Sequence, residues 1–355
     1  MPDWTKSMQQ TYEYYKVDPE TWTDIEPVQT VKSSSIVRDL TNDTLGSASF
    51  NITTDPDECY IRTYLVTIQN GVRERTVLGT HLCQTPSVSY DGKATDFSID
   101  AYTPLVELKE KKVPVGYALA KNVNILATAS SLTRENMRPP VVTGSDTAVL
   151  PSAFVSSLTD TWFDFLYDLL ACARYRFGLD ELSRVIFEPE QDLNSLQPVW
   201  VYNDDNSSII QPSITIDRDL YGIPNVLEVV YSPDGREPIV ARVVNNDPNS
   251  PISTVNRGRE VMTRITDPDI YGSSPTYEYL LDYATQALRD ASSLEYTLTY
   301  THGYCPVRIG GCVMLNYTRA GLRNVKAKVT RQSIKCEPGC PVEETAVYTT
   351  NLWGR

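Results

Sequence analysis

Histidine is scarce in this sequence: the 355 residues contain only His81 and His302. A Ser–His–Asp triad or a Cys–His pair needs one of them, and no nucleophile motif surrounds either residue. Carboxylates are plentiful, but no pair of them is singled out as the acid and the nucleophile of a glycosidase. We therefore expect a protein that is not an enzyme, with no catalytic residues, no metal site and no cofactor.

Long hydrophobic runs are missing as well. No apolar segment approaches the ~20 residues that a membrane-spanning helix needs. The first residues, MPDWTKSMQQTYEYYK, lack the apolar core of a signal peptide. We expect no membrane anchor and no secretory export. With 41% hydrophobic and 22% charged residues, the composition is that of an ordinary globular protein.

Basic residues are outnumbered by acidic ones: 32 Lys and Arg stand against 45 Asp and Glu, which gives a net charge of −13. A protein that grips nucleic acid needs clustered Lys and Arg, whereas an acidic surface lets a polyanion pass without binding it. Asp160, Asp164 and Asp168 recur at four-residue spacing within the clearest helix pattern, Thr159 to Phe177. We interpret them as a solvated acidic face, with a metal site as the alternative. If the face is functional, we expect it to repel a passing polyanion.

Two β-rich regions enclose helical segments. Strand patterns run from Ile25 to Tyr102 and again from Leu294 to the end of the chain. Between them, Asn122 to Leu132 and Thr159 to Phe177 have helical spacing, and Ser274-Pro275 predicts the start of a third helix. The sequence therefore predicts an α+β fold that is mainly β.

The stretch from Ile214 to Ile265 contains no nucleophile–base pair, no metal-ligand spacing and no phosphate loop, but its strand and turn patterns are clear. Strand patterns at Asn225–Ser232 and Ile239–Val244 flank the turn Ser232-Pro233-Asp234-Gly235, which predicts a β-hairpin. An Asn- and Pro-rich connection, Asn245–Pro251, then leads into a polar segment. That segment contains three arginines, Arg257, Arg259 and Arg264.

The seven cysteines pose the sharpest chemical question. Asn70-Gly71 is the strongest short-range hairpin signal, and a two-residue loop there makes Gln69 face Val72. A one-residue bulge in this hairpin places Cys59 directly opposite Cys83. Neighbours across two strands come within disulfide range, so we expect this pair to be bonded in the mature protein.

A second hairpin, turning at Ala320-Gly321, places Cys305 opposite Cys336 and predicts a second disulfide. Cys312 and Cys340 then remain as candidate unpaired or inter-chain cysteines. The alternative is zinc bound by these four cysteines, but their spacings of six and three intervening residues fit structural zinc sites poorly. The odd cysteine, Cys172, lies on the predicted apolar helix, and we expect it to be a buried small hydrophobe.

Three segments of the chain resemble the tail-hub, or baseplate hub, proteins of tailed phages. They are YGIPNVLEVVYS at Tyr221–Ser232, NDPNSPIST at Asn246–Thr254, and Arg257-Gly258-Arg259. The N-terminal SFNITTDPDECYIRTYLVTIQNGVRERTVLGTHLCQTPSVSYDG is similar to the first β-domain of that family, and the resemblance spans roughly residues 25 to 350. Cys312 is a departure, because hubs often carry an acidic residue there.

The resemblance implies two tube-like antiparallel β-barrel domains with helical insertions. We expect an N-terminal arm at 1–24, a first barrel at 25–112 and a helical or mixed insertion at 113–198. A second barrel at 199–355 would contain a helical insertion at about 252–293. The three arginines named above become candidates for contacts between chains.

The function implied by the resemblance is structural. Three copies would form a ring that joins the tail tube to the central spike and lines the DNA channel. The implied partners are a homotrimer, the tail tube or a distal tube-initiator protein, the central spike, the tape-measure protein and baseplate wedge proteins, with DNA only in transit. The expected location is the virion tail baseplate, assembled in the host cytoplasm. The alternatives are a tail-associated cell-wall hydrolase and a carbohydrate-binding virion protein.

Overall fold

The computed structural model describes residues 2–353 apart from 91, 94, 143, 233–236, 267 and 269–275. Strand predominates over helix in these residues, which confirms the mainly β, α+β class. The strands of the N-terminal part are β1 Gln9–Val17, β2 Asp24–Pro27, β3 Val31–Asp39, β4 Gly46–Ile52, β5 Cys59–Gln69, β6 Val72–Tyr90, β7 Thr95–Tyr102, β8 Ala118–Leu119 and β9 Phe154–Val155.

The remaining strands alternate with short connections. They are β10 Tyr175–Leu179, β11 Val185–Pro189, β12 Trp200–Asn203, β13 Ile210–Arg218, β14 Val226–Tyr231, β15 Ile239–Val244, β16 Met262–Thr266, β17 Ser293–Gly303, β18 Cys312–Asn316, β19 Val325–Lys335 and β20 Pro341–Asn351. The α-helices are α1 Val106–Glu110, α2 Ile125–Asn136, α3 Trp162–Ala171, α4 Thr254–Arg257 and α5 Tyr277–Ala291.

The chain forms two compact units. Unit 1 comprises Met1–Ile214 and Thr299–Ala346, and unit 2 comprises Thr215–Leu298 and Val347–Arg355. These boundaries differ from those expected at residues 24, 112 and 198, so the four-part division remains a prediction.

A single sheet contains most strands of unit 1. Its order is β13-β17-β20-β19-β3-β4-β7-β6-β5-β1-β2, with β18 paired to β19 and β12 paired to β18. The pairing of β3 with β19 places Ile36 opposite Ile334 and joins the two β-rich regions of the sequence. The path ends at β13 and at β2, which do not pair with each other, so the sheet is open in the described residues. The closed barrels that the family resemblance implies are not formed in these residues.

The N-terminal segment adds a strand to this sheet. All nine residues of β1 pair antiparallel with β5, from Gln9 opposite Ile68 to Val17 opposite Tyr60. Gln9–Val17, within the N-terminal arm expected at 1–24, is therefore a strand of this sheet. Polar residues interrupt the strand pattern of QQTYEYYKV, and its partner strand is distant in sequence, so local signals do not identify it.

The β5–β6 hairpin has the predicted register. Asn70 and Gly71 both have positive φ, at 52° and 77°, as the two central residues of a type I′ turn require. Gln69 lies opposite Val72, and the register shifts by one residue between Thr63 and Tyr64. The predicted hairpin is confirmed, and it contains the one-residue bulge that aligns Cys59 with Cys83.

A helical layer packs against β10 and β11 in unit 1. Thr161 and Asp164 form a capping box that starts α3, whose buried face includes Trp162, Phe165, Leu166 and Leu169. The predicted helix is too long at its C-terminal end. α3 ends at Ala171 because Arg174 adopts a left-handed φ of 59°, and Phe177 instead lies on β10 opposite Phe187.

Unit 2 contains a small sheet covered by α5. Its strand order is β15-β14-β16, and the β14–β15 pairing, with Val226 opposite Val244, confirms the predicted strands. Leu280, Ala284 and Leu288 of α5 pack on the apolar face of this sheet. The residues 233–235 of the predicted turn and the predicted cap 274–275 lie outside the described residues. The observed N-cap of α5 is Thr276.

Candidate functional site

The interior of unit 1 contains a polar cluster centred on Glu344, a fully buried carboxylate of β20. Its Oε1 accepts hydrogen bonds from Tyr300 Oη at 2.6 Å and Tyr202 Oη at 3.2 Å. Its Oε2 accepts one from Gln332 Nε2 at 2.7 Å and lies 3.5 Å from His302 Nε2. These partners belong to β17, β12 and β19, so one carboxylate links three other strands to β20.

Glu344 and His302 form a buried ion pair. Burial alone opposes the charge of His302, but the neighbouring Cys305 sulfur and Glu344 carboxylate outweigh it and raise the pKa of His302 to about 10. Burial also opposes the charge of Glu344, yet its hydrogen bond with His302 lowers the pKa of the carboxyl. The Nδ1 of His302 is 2.7 Å from the Gly303 carbonyl oxygen, so both ring nitrogens face acceptors, as an imidazolium requires.

The cluster holds strands together and cannot reach a substrate. Tyr202, Tyr300, His302 and Glu344 are all buried. Within the described part of the chain, no three or more His, Cys, Asp or Glu side chains are placed to hold a metal ion. Sequence reasoning missed this cluster, since its members are far apart in the chain. The one local signal was the short spacing between His302 and Cys305.

Cys59 and Cys83 lie opposite each other across β5 and β6, as the bulged register predicts. The Cys83 thiol hydrogen-bonds to Cys59 and lowers the pKa of the Cys59 thiol, whereas the same hydrogen bond and burial raise the pKa of Cys83. A lowered thiol pKa favours the thiolate, which is the nucleophile in disulfide formation. All seven cysteines, each within the described residues, are free thiols. The disulfide therefore remains a prediction.

The second hairpin register is wrong. Cys312 lies opposite Lys328, one residue away from the predicted pairing, and a short 3₁₀ turn at Thr318–Ala320 replaces the tight two-residue loop. Cys305 lies outside the strands, with its sulfur 3.4 Å from Tyr202 Oη. Cys336 follows β19, and its thiol hydrogen-bonds to the side chains of Ser34 and Tyr14. A Cys305–Cys336 disulfide remains a prediction without the register that motivated it.

The other cysteines differ from expectation in their exposure. Cys312 and Cys340, the candidate unpaired or inter-chain cysteines, are both buried within the chain. Cys172 was expected to be buried, but it is exposed. It is the C-cap of α3, where the helix ends earlier than its apolar pattern suggests.

The three candidate arginines occupy different environments in unit 2. Arg257 donates to the carbonyl oxygens of Ile223 at 2.7 Å and Leu220 at 3.2 Å. Arg264 donates to Glu228 Oε2 at 2.7 Å across β14 and β16. Arg259 is exposed. Arg257 and Arg264 therefore make contacts within their own unit, and the role of the three arginines in contacts between chains remains a prediction.

The acidic residues of the α3 region lie close together, but only two belong to the helix. Asp160 precedes the helix and accepts a hydrogen bond from the Ser157 amide at 2.7 Å. Asp164 caps the helix, and Asp168 is exposed one turn further on. Burial, and then the charges of Asp160 and Asp164, raise the pKa of Asp168. The two acidic neighbours therefore disfavour the charge of Asp168, and the acidic face expected from the sequence remains a prediction.

Each unit also exposes apolar side chains. In unit 1, Val155 lies on β9, and Val115 and Leu158, three residues before β8 and after β9, are 80% and 82% exposed. In unit 2, Tyr221 is 93% exposed beside Leu220 at 39%. Exposed groups of large apolar residues often mark surfaces that other proteins cover.

Comparison with solved structures identifies the fold. The chain is similar to the tail protein from Neisseria meningitidis, with a TM-score of 0.59 and 12% identity over 95% of this chain and 97% of that one. It is also similar to the 43 kDa tail protein of prophage MuSo2 from Shewanella oneidensis, with a TM-score of 0.60 and 11% identity over 95% and 98%. The chain thus shares nearly its whole fold with two tail proteins.

A third similarity is to a chain of the PdpA–VgrG complex from Francisella. The TM-score is 0.53 at 9% identity, and the match covers 99% of this chain and 54% of that chain. No protein-family model matches the sequence, and no curated protein matches it either. None of the helices in the described residues is long and apolar enough to cross a membrane.

Proposed function

We propose that this chain is a structural protein of a phage-type tail, a hub that joins the tail tube to the central spike. The observation that carries the proposal is its fold, shared over 95% of its length with the prophage MuSo2 tail protein and over 98% of that protein's length. A match that covers both chains almost completely supports a common architectural role more strongly than a match to one domain. The family resemblance of Tyr221–Ser232 and Asn246–Thr254 points the same way.

A ring of three copies is the assembly that we propose. Such a ring needs side surfaces that are exposed in the single chain, and the β8–β9 region and Tyr221 are candidates. The proposed partners are the tail tube or its distal initiator, the central spike, the tape-measure protein and the baseplate wedge proteins. The proposed location is the tail baseplate of the virion.

The proposed relation to DNA is passage without binding. The net charge of −13 disfavours the phosphate contacts on which non-specific DNA affinity depends. The acidic residues Asp160, Asp164 and Asp168 are candidates for a channel-facing surface. On this proposal the purified protein retards no DNA in a gel at physiological salt, and strong retardation would argue against a channel role.

The proposed role is structural and not enzymatic. Both histidines are buried, so neither can act on an external polymer. A peptidoglycan zymogram of the purified chain should show no clearing, whereas clearing would favour the cell-wall hydrolase.

Labelling of intact particles tests the proposed location. Gold-conjugated antibody against this chain should mark one end of the tail in electron micrographs. The matched control is antibody against the tube protein, which should mark the tail along its length. Label from the first antibody on the capsid, or along the whole tube, would contradict the proposal.

A further inference from the structure

Unit 1 contains a cavity of about 230 Å³ between β3, β6 and the β10–β11 connection. A water molecule occupies roughly 30 Å³ in the liquid, so the space can take a small molecule of several heavy atoms. Arg38, His81 and Arg308 line it together with apolar side chains. The cavity is separate from the Glu344 carboxylate, which does not line it.

Arg38 brings a buried positive charge to the cavity wall. Arg38 is buried, with only 7% of its surface exposed. It donates to Gln332 Oε1 at 3.0 Å and to the Leu78 carbonyl oxygen at 2.6 Å, and both acceptors are neutral. No ion pair of Arg38 with a carboxylate occurs among the described residues. A buried guanidinium without a counter-ion is a costly arrangement unless an anion approaches it.

Two further side chains on the wall have unused hydrogen-bonding atoms. Arg308 donates through Nη2 to the carbonyl oxygens of Leu179 at 2.9 Å and Asp180 at 2.7 Å, while its Nη1 is buried without a hydrogen-bond partner in the described residues. The Nδ1 of His81 is likewise buried without such a partner, in a side chain only 3% exposed. Burial and the charge of Arg38 lower the pKa of His81 to about 3, so its ring is neutral and can present Nδ1–H.

The carboxylates of the wall are mostly engaged elsewhere. Asp180 accepts from Arg184 Nε at 2.6 Å and from two backbone amides. Glu188 pairs with Arg176 at 2.9 Å. Glu181 is the exception: its carboxylate is 72% exposed and lies 3.6 Å from Arg308 Nη1. The wall therefore carries two guanidinium groups, and among the described residues only Arg308 has an ion pair with a carboxylate of the wall, one that is largely exposed.

We infer that this cavity binds a small oxyanion, either inorganic phosphate or a carboxylate, through Arg308 and His81 in the positive field of Arg38. Such an anion would accept hydrogen bonds from Arg308 Nη1 and His81 Nδ1, and its negative charge would also compensate the buried charge of Arg38. Glu181 competes for Arg308, so its carboxylate weakens the site.

The test is calorimetric titration of the full-length protein with sodium phosphate and, separately, with sodium acetate, at constant ionic strength. The variants are Arg308→Gln, Glu181→Gln and the matched control Arg319→Gln, which removes an arginine that is 93% exposed. We expect saturable binding of at least one anion to the wild type and to R319Q. Loss of a charged hydrogen bond should weaken it about tenfold in R308Q. Loss of the competing carboxylate should tighten it several-fold in E181Q.

The two titrations separate the sources of the oxyanion. Saturation by phosphate alone identifies a phosphate site, and saturation by acetate identifies a site for a carboxylate. The absence of saturable binding by either anion overturns the inference, as does equal affinity in R308Q and the wild type. If R308Q does not fold, E181Q decides: unchanged affinity in that variant overturns the inference.

Discussion

Cys59 and Cys83 lie directly opposite each other in the β5–β6 pairing, at the end of the hairpin far from its Asn70-Gly71 turn. The bulge between Thr63 and Tyr64 creates this alignment, because it shifts the register by one residue. Without it, each cysteine would have a different residue opposite. The bulge thus brings the two sulfur atoms together.

We predict that this pair forms a disulfide under oxidising conditions. Closing the loop from Cys59 to Cys83 stabilises the folded chain by about 3.5 kcal/mol in the chain-entropy model. Non-reducing peptide mapping should recover the two cysteine peptides joined, and Cys83→Ser should lose the stabilisation seen on oxidation. Cys172→Ser, at an exposed thiol, is the control. Free thiols at both positions after oxidation would refute the prediction.

Removing the charge of Glu344 should be strongly destabilising. Glu344→Gln leaves the buried His302 imidazolium without its counter-ion, and breaking a buried pair in this way costs about 3–5 kcal/mol. Denaturant unfolding measures the loss. The control is Glu343→Gln at the adjacent exposed position, which should change stability by less than about 0.5 kcal/mol. Equal losses of unfolding free energy in the two variants would mean that the Glu344–His302 pair does not stabilise the fold.

The same pair predicts a pH dependence. The pKa of His302 rises from 6.5 to about 10 on folding, so its stabilisation is complete below 6.5 and is lost as pH rises through about 10. The pKa of Glu344 falls on folding, so its contribution is present above 4.5 and is lost as pH decreases. Between pH 7 and pH 9 the unfolding free energy of the wild type should decline. His302→Gln should decline less over that range, and parallel curves would contradict the assignment.

Local signals predicted some elements well. Asn70-Gly71 and the flanking β-rich runs predicted the β5–β6 hairpin, but they did not indicate its bulge. The alternating residues of β14 and β15 were equally clear. In both cases neighbouring strands are joined by short connections, so the register depends on nearby residues.

Other features depend on contacts between distant segments. β1 pairs with β5, and β3 pairs with β19. No local sequence pattern indicates either pairing. The Glu344 cluster draws its partners from strands that only the folded sheet brings together. The end of α3 was misplaced because the apolar residues of β10 continue the helical pattern. Long-range pairing therefore accounts for most of what sequence reasoning missed.

Arg259 and Arg257 should respond differently to charge reversal. Arg257→Glu removes two hydrogen bonds to carbonyl oxygens and should lower the thermal stability of the chain. Arg259→Glu changes an exposed side chain, so it should leave stability within about 0.5 kcal/mol and weaken association of the chains. Thermal unfolding and mass photometry on the two variants separate these effects. If R259E associates as well as the wild type, Arg259 does not contribute to the contact between chains.

Mass photometry of the purified full-length chain tests the central claim most directly. One chain has a mass of 39.8 kDa, and the hub proposal predicts a species of three times that mass, alone or after addition of the neighbouring tail proteins. Negative-stain images of that species should show a ring with threefold symmetry. A chain that stays monomeric under both conditions would contradict the account.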